Sequence, residues 1–322
     1  MIRILVMHPR DWTVKKPSYI ERSIHEILKR IAAQGHYVAW LCGKRLTLRS
    51  GSVGVQELEL VDGIHVARLG PMPLHRPLAR LFLGRLAKSG SCPFDVVLNC
   101  VAGRTLDVAS HLQVPVLPWV FSVTAKTPAI SDRMGPIIAT TQLGASQLRE
   151  LGVPPGHIVF APVGVNGVDY ERKRADTERR VLVLGKFGES RLFRTGGARL
   201  IARLKTKGIQ VDTQLDPAMA PWIAYCGEGH EWEALEFADR GIPVLSPNTI
   251  AARECVVPEE TGLLHAAGNW KELEAQFERI SKDEVLYKRL SEGAAKYASQ
   301  RRWERSAGLV LAAIENMLAS VS

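Results

Sequence analysis

In the stretch GEGHEWEALEFADRGIPVL, residues 227–245, two glutamates stand eight positions apart. These are Glu228 and Glu236. A carboxylate accepts paired hydrogen bonds, which suits the two neighbouring hydroxyls of a ribose. The pattern puts Glu228 in a loop ahead of a helix and Glu236 inside that helix. Loop residues at a helix start are well placed to meet a ligand. The plain alternative is a solvated acidic helix face, and the two glutamates alone do not decide between them. After the run GIPVLS, a second helix is expected to start near Asn248, Thr249 and Ile250. Such a start points N–H groups and the positive end of the peptide dipoles outward, where an anion would sit. His8, His36 and His230 read as structural more readily than catalytic. His230 lies two residues after Glu228, close enough in sequence to touch the same ligand.

Residues of this kind need a scaffold. Short runs rich in Val and Ile recur: IRILVM, YVAWLC, FDVVLN, VPVLPWV, PIIATT and HIVFAP read as buried strands. Between them lie helical patterns such as YIERSIHEILKRIAAQGH, with Ile20, Ile24, Ile27, Leu28 and Ile31 on one side and Gly35 at the stop. Alternation of this kind means βαβ units and a parallel sheet. VQELELVDGIHVARLG breaks the rhythm, and its Asp62-Gly63 pair predicts a hairpin. After the charged linker ERKRADTERR the pattern restarts. VLVLG is a strand, GGARLIARLKTKG a helix, IQVDTQL a strand and GIPVLS another strand, with helices from Trp270 onward. Two Rossmann-like units in tandem are expected, facing a cleft, with ligands at the carboxyl ends of the strands.

The apolar fraction is 46% and the charged fraction 23%, ordinary for a globular chain of 322 residues. No apolar run approaches the ~20 residues that span a bilayer, and the start MIRILVMHP turns polar too soon to read as a secretory signal. The five cysteines form no CxxC pair, which points to free thiols in a reducing cytoplasm. No zinc, HExxH or EF-hand spacing occurs, so no protein-held metal is expected. No GxGxxG follows a first strand, which argues against a dinucleotide oxidoreductase. The net charge of +9 is lopsided: residues 1–160 hold 19 basic and 10 acidic residues, and residues 161–322 hold 23 of each. An anionic partner for the first half follows. Within it, PMPLHRPLARLFLGRLAKSG (71–90) carries basic residues and no acid. It predicts a helix with Leu78, Leu81, Phe82 and Leu86 on one face. Such a helix can cover the sheet, lie on an anionic membrane, or do both. The basic charge comes without an aromatic-rich or helix-turn-helix pattern, so nucleic acid is not the expected partner.

Several segments together resemble the retaining glycosyltransferases of the GT-B fold, in the family four grouping. They are RIAAQGHYVAWLC, APVGVNGVDY, VLVLGKFGESR, EGHEWEALEFADRGIPVLS and AARECVVPEETGLLHAAGN. The agreement is most specific over 228–264, where the Glu-x7-Glu spacing, Gly-x-Pro-Val, Glu-x-Val and Thr-Gly-Leu-Leu all coincide. The resemblance implies an α/β GT-B architecture. Residues 1–165 would form an acceptor-side domain and 166–302 a domain that binds the nucleotide sugar, with the helix 303–322 packing back onto the first. It implies Glu236 on the ribose and Glu228, Gly229 and His230 on the donor sugar. Asn248, Thr249 and Ile250 would hold the diphosphate, and Lys186 and Arg191 would neutralise it during transfer. Arg194 is an alternative to Arg191. It implies no bound cofactor, a UDP-sugar or GDP-sugar donor, and an anionic or lipid-linked glycan acceptor at the inner face of the membrane.

The chain departs from that pattern in places. Ser18 and Tyr19 stand where the family carries a glycine pair, and Gly229-His230-Glu231 stands where it carries Gly-x-Gly. Glu231 thereby adds a negative charge beside the sugar pocket. PWVFSVTAKTP offers Ser122 and Thr124 in place of a histidine. Only 12 residues separate IQVDTQL from Glu228, so the second domain is expected to be pared down. The departures keep open a degenerate GT-B protein that binds a nucleotide or glycan or supports a partner, and a nucleotide-sugar 2-epimerase.

Overall fold

The computed structural model describes residues 1–13, 17–44, 57–71, 75–88, 92–100, 114–121, 135–167, 180–185, 193–214 and 221–321. The chain divides into two compact units, Met1–Val163 with Trp303–Ser322, and Gly164–Arg302.

The first unit is built on one sheet. Its strands are β1 (Arg3–Met7), β2 (Tyr37–Lys44), β3 (Glu57–Val61), β4 (Ile64–Pro71), β5 (Val96–Asn99), β6 (Val116–Val120), β7 (Ile137–Ala139) and β8 (Ile158–Phe160). Their spatial order is β3-β4-β2-β1-β5-β6-β7-β8. All pairings are parallel except β3 with β4. The central strand β1 aligns Val6 with Trp40 on one side and Leu98 on the other. Ile4, Leu5, Val6 and Met7 are all buried, as a strand covered on both faces requires. The six runs read as strands all contribute to this sheet. Asp62 and Gly63 have φ of 52° and 78°, the two consecutive positive values of a type I′ hairpin turn.

Helix α1 (Tyr19–Ala33) packs Ile24, Ile27, Leu28 and Ile31 inward. It starts at a capping box, in which the Glu21 carboxylate accepts the Ser18 backbone N–H at 2.7 Å. It stops at Gly35, whose φ of 87° lies in the region glycine favours. Helix α2 (His75–Lys88) covers the sheet with Ala79 and Leu83 fully buried and Leu78 and Phe82 partly so. Leu81 does not join them; it is 62% exposed. At 100° per residue Leu78, Phe82, Ala79 and Leu83 fall in one stripe, with Ala79 inside it, and Leu81 falls on the far side of the helix. Helix α3 (Gln142–Glu150) is capped by Thr141, whose Oγ1 accepts the Gly144 N–H at 2.9 Å.

The second unit has strands β9 (Arg180–Leu184), β10 (Gln210–Asp212), β11 (Ile223–Cys226), β12 (Val244–Pro247) and β13 (Gly262–His265). They run parallel in the order β10-β9-β11-β12-β13. This is a doubly wound order, and it reverses between β9 and β11. The helices are α4 (Phe193–Thr206), α5 (Glu233–Asp239), α6 (Ile250–Cys255), α7 (Trp270–Lys282) and α8 (Glu284–Ser299). The core gathers Val181, Val183, Tyr225, Leu245, Leu263, Phe277 and Leu290. Helix α8 passes so close to the Glu260 carbonyl that a Cβ on Gly293 would collide with it. The final helix α9 (Trp303–Val321) belongs to the first unit and packs along α1. There Arg30 pairs with Glu304 at 2.6 Å, and the Ser306 hydroxyl donates to the Pro162 carbonyl at 2.6 Å. Among the described residues no helix is long and apolar enough to cross a membrane.

Candidate functional site

In a doubly wound sheet, the loops at the order reversal diverge and leave a crevice at the carboxyl ends of the strands. In the second unit these loops follow β9 and β11. Gly227 opens the second of them. Its N–H donates to the Leu184 carbonyl at 2.9 Å, and a Cβ there would lie 2.8 Å from that oxygen. Glycine is therefore needed where the two strand ends come together. The chain then turns, with His230 N–H donating to Gly227 O at 3.0 Å and Gly229 at φ 83°. Glu228 and Gly229 are exposed at the tip. His230 is partly exposed, with Nδ1 3.5 Å from Glu233 Oε1.

Helix α5 leaves this loop with Ala234, Leu235, Phe237 and Ala238 buried and Glu236 exposed. The first glutamate thus lies on the loop, and the second on the outer face of the helix the loop feeds. Glu231, read as a negative charge beside the sugar pocket, is only 6% exposed. Its carboxylate accepts the Gly229 N–H at 2.8 Å and lies 3.5 Å from the Thr249 hydroxyl. Gly229, at positive φ, turns its amide toward the side chain two residues on, and Thr249 approaches from the start of α6.

The start of α6 follows β12. Asn248 N–H donates to the His265 carbonyl at 2.7 Å, which ties it to the end of β13. Thr249 caps α6, its Oγ1 accepting the Ala252 N–H at 3.1 Å. One amide of this helix start is therefore already engaged. The Asn248 side-chain Oδ1 accepts from Arg253 Nε at 2.7 Å, and Ile250 is 61% exposed. The far end of α6 is held as firmly, because the Glu254 carbonyl accepts from Tyr297 Oη at 3.1 Å and from Arg301 at 3.0 Å. Beneath the loops, Ser246 donates to the Cys226 carbonyl at 2.7 Å. Burial, together with Cys226 and Glu231, pushes the Tyr225 phenol up to about 12. Burial lowers the His265 imidazole below its ordinary value, against the Ala266 carbonyl it contacts. Lys186, Arg191, Ser122 and Thr124 lie outside the described residues. Arg194 falls in the first turn of α4, but its side chain is not among those described.

In the first unit the order reverses between β1 and β5, and the loop after β1 carries a polar network. Asp11 is buried and accepts from Arg68 Nε at 2.9 Å, from the Thr13 N–H at 2.8 Å and from the Cys42 thiol at 3.2 Å. Burial alone would raise its carboxyl, but the hydrogen bonds from Arg68, Thr13 and Cys42 outweigh that and hold it low. Ser18 and Tyr19 form the cap and first residue of α1. The Tyr19 ring lies edge-on to Phe121, 6.1 Å away. His8 is buried, with Nδ1 2.6 Å from the Arg10 carbonyl, and His36 Nδ1 accepts the Ile2 N–H at 3.2 Å.

No protein-family model and no curated protein matches the chain. Solved structures do. A glycosyltransferase from Rickettsia africae ESF-5 superposes with a TM-score of 0.69 at 15% identity, covering 98% of each chain. Sucrose-phosphate synthase from Thermosynechococcus elongatus gives 0.68 at 16%, covering all of both chains. The fold is GT-B. A third GT-B structure, HepE from Anabaena in complex with UDP, gives 0.67 at 13% over 98% of this chain and 100% of its own. At these identities the likeness is one of fold.

Proposed function

We propose that this GT-B protein is a glycosyltransferase. It would move a sugar from a UDP-sugar or GDP-sugar to a glycan or lipid-linked acceptor, with the anomeric configuration retained. The observation that carries the reading is the set of polar and exposed groups beyond β11 and β12. Glu228 and Gly229 stand at a loop tip, Glu236 on α5, and Asn248 and Ile250 at the start of α6. In this reading Glu236 accepts hydrogen bonds from the ribose hydroxyls. Glu228, Gly229 and His230 contact the donor sugar, and Asn248, Thr249 and Ile250 border the diphosphate. Lys186 and Arg191, past the end of β9, neutralise the leaving diphosphate. The bond from the anomeric carbon to the phosphate oxygen breaks, and the acceptor oxygen bonds to that carbon on the same face. The acceptor proton passes to the departing phosphate. No protein nucleophile and no protein-held metal is required. Removing one charge-stabilising group of this kind costs about 10²–10³ in rate.

The first unit holds the acceptor in this reading, at the inner face of an anionic membrane. The charge excess of residues 1–160 supports it, and so does a patch beside α2. In β3, Leu58 lies opposite Ala67 and Leu60 opposite His65. Directly paired residues share a sheet face, and Ala67 packs in the core under α2. Leu58 and Leu60 are therefore on the α2 side, 71% and 63% exposed, and Leu81 of α2 is 62% exposed. Arg85 and Lys88, also exposed, follow Leu81 at i+4 and i+7 on the same helix face. Exposed leucines on β3 and α2, with the basic residues of α2, match a bilayer rich in anionic lipid.

The test is turnover of UDP-sugars and GDP-sugars with a lipid extract as acceptor source, with the anomer of the product read by NMR. Transfer with retention from one donor, falling at least 100-fold in Lys186→Ala, is expected. Donor binding without transfer or hydrolysis would make the protein a binding module.

A further inference from the structure

We propose that Glu231 is a positioning residue that locks the loop after β11 to the start of α6, so that the two halves of the donor site are held as one. The inference rests on the donor-site reading above and adds a residue to it. Glu231 does not face the ligand, since it is only 6% exposed. Its hydrogen-bond donors are neutral and come from two separate segments: the Gly229 amide at 2.8 Å and, eighteen positions further on, the Thr249 hydroxyl at 3.5 Å. A buried carboxylate is costly unless hydrogen bonds satisfy it. The Gly229 bond fixes the loop, and the Thr249 hydroxyl, at the outer limit of hydrogen-bond distance, ties the second segment to it more weakly. Gly229 is held in its left-handed turn, which sets the direction of Glu228 immediately before it. Thr249 also accepts the Ala252 N–H, so one hydroxyl caps α6 and donates to Glu231. The exposed residues on either side of this contact are Glu228 and Gly229 on one segment and Asn248 and Ile250 on the other. They are among the residues assigned to the donor.

The lock depends on hydrogen-bonding groups at the Glu231 position and not on its charge touching the ligand: the two contacts use separate carboxylate oxygens, and Gln can keep one as an acceptor for the Gly229 N–H while its amide N–H donates to Thr249 Oγ1. That separates it from a direct role. Dissociation constants for UDP and GDP, with KM and kcat for the accepted donor, would be measured on wild type, Glu231→Gln, Glu231→Ala, Thr249→Val and the double variant Glu231→Ala/Thr249→Val. The expected result is that Glu231→Ala raises the nucleotide Kd and the donor KM at least tenfold with a smaller change in kcat. Glu231→Gln restores most of the loss, and the double variant is no worse than the poorer single one. Circular dichroism of each variant without ligand checks folding. If Glu231→Ala does not fold, the Gln and Thr249→Val variants carry the comparison, with Gln near wild type and Val impaired. Wild-type affinity in Glu231→Ala or, where that variant does not fold, in Thr249→Val overturns the proposal while leaving the donor site intact. So does a Gln variant as impaired as Ala or Val, which would mean that the charge acts directly. If wild type binds neither nucleotide, the donor-site reading itself fails, and this inference falls with it.

Discussion

At the scale of single residues, the chemistry proposed here depends on where carboxylates point. Glu228, Glu231, Glu233 and Glu236 share nine positions, yet they meet different surroundings. Glu228 and Glu236 are exposed, Glu231 is buried against an amide and a hydroxyl, and Glu233 lies near His230. Replacing Glu236 by Ala is expected to weaken nucleotide diphosphate binding by tenfold or more, about 1.4 kcal/mol, as read by calorimetric titration. An unchanged Kd would remove the ribose assignment. The glutamate spacing was legible in the sequence because a loop-to-helix pattern and a Gly-x-Pro turn frame it. The fate of Glu231 was not, because its burial depends on the amide that Gly229 turns toward it and on Thr249, eighteen residues away. The bond from Arg253 to Asn248 spans five positions, not the three or four that a helix face brings together, so nothing in the pattern pointed to it.

At the scale of elements, alternation of apolar runs with helical patterns was enough to anticipate the parallel sheet of the first unit, and Asp-Gly between alternating runs its hairpin. Two features were harder to read. Strand β11, the one that delivers Glu228, has four residues, Ile223–Cys226, and carries too short a pattern to stand out from its flanks. The inward face of α2 was misjudged because Leu81 is larger than Ala79, although Ala79 lies closer to the centre of the buried stripe. Close packing between elements leads to a stability prediction. In Gly293→Ala the new methyl meets the Glu260 carbonyl, so α8 must shift. The expected cost is ~1–3 kcal/mol, seen as a lower Tm, whereas an unchanged Tm would mean that the helix has room to move. The leucines of the first unit behave differently. Leu58→Ser with Leu60→Ser should leave Tm nearly unchanged and reduce cosedimentation with vesicles rich in phosphatidylglycerol relative to phosphatidylcholine. Retained binding would exclude the β3 edge from membrane contact.

At the scale of the whole molecule, both units are doubly wound sheets whose order reverses between β1 and β5 and between β9 and β11. Their buried histidines predict a pH response. His8, His25 and His265 are all held below the ordinary 6.5, with burial the first cause in each case. The folded chain therefore binds fewer protons than the unfolded chain near pH 6. The stability these groups contribute is full above about 6.5 and is lost as pH falls from there toward their folded values. The urea midpoint should fall between pH 7.5 and pH 5.5, and a rise over that interval would contradict the assignment. Asp11, held low by Arg68 after burial is overcome, acts only near and below the ordinary carboxylate value, outside this window.

The central claim is that the second unit binds a nucleotide diphosphate through Glu236. A thermal-shift panel of UDP, GDP, ADP and dTDP, run on wild type and on Glu236→Ala, tests it most directly. A ligand at ~100 times its Kd stabilises by about 2.7 kcal/mol, several degrees for a chain of this size. The account predicts such a shift with UDP or GDP in wild type and its loss in the variant. No shift with any of the four, or an equal shift in both proteins, would contradict it.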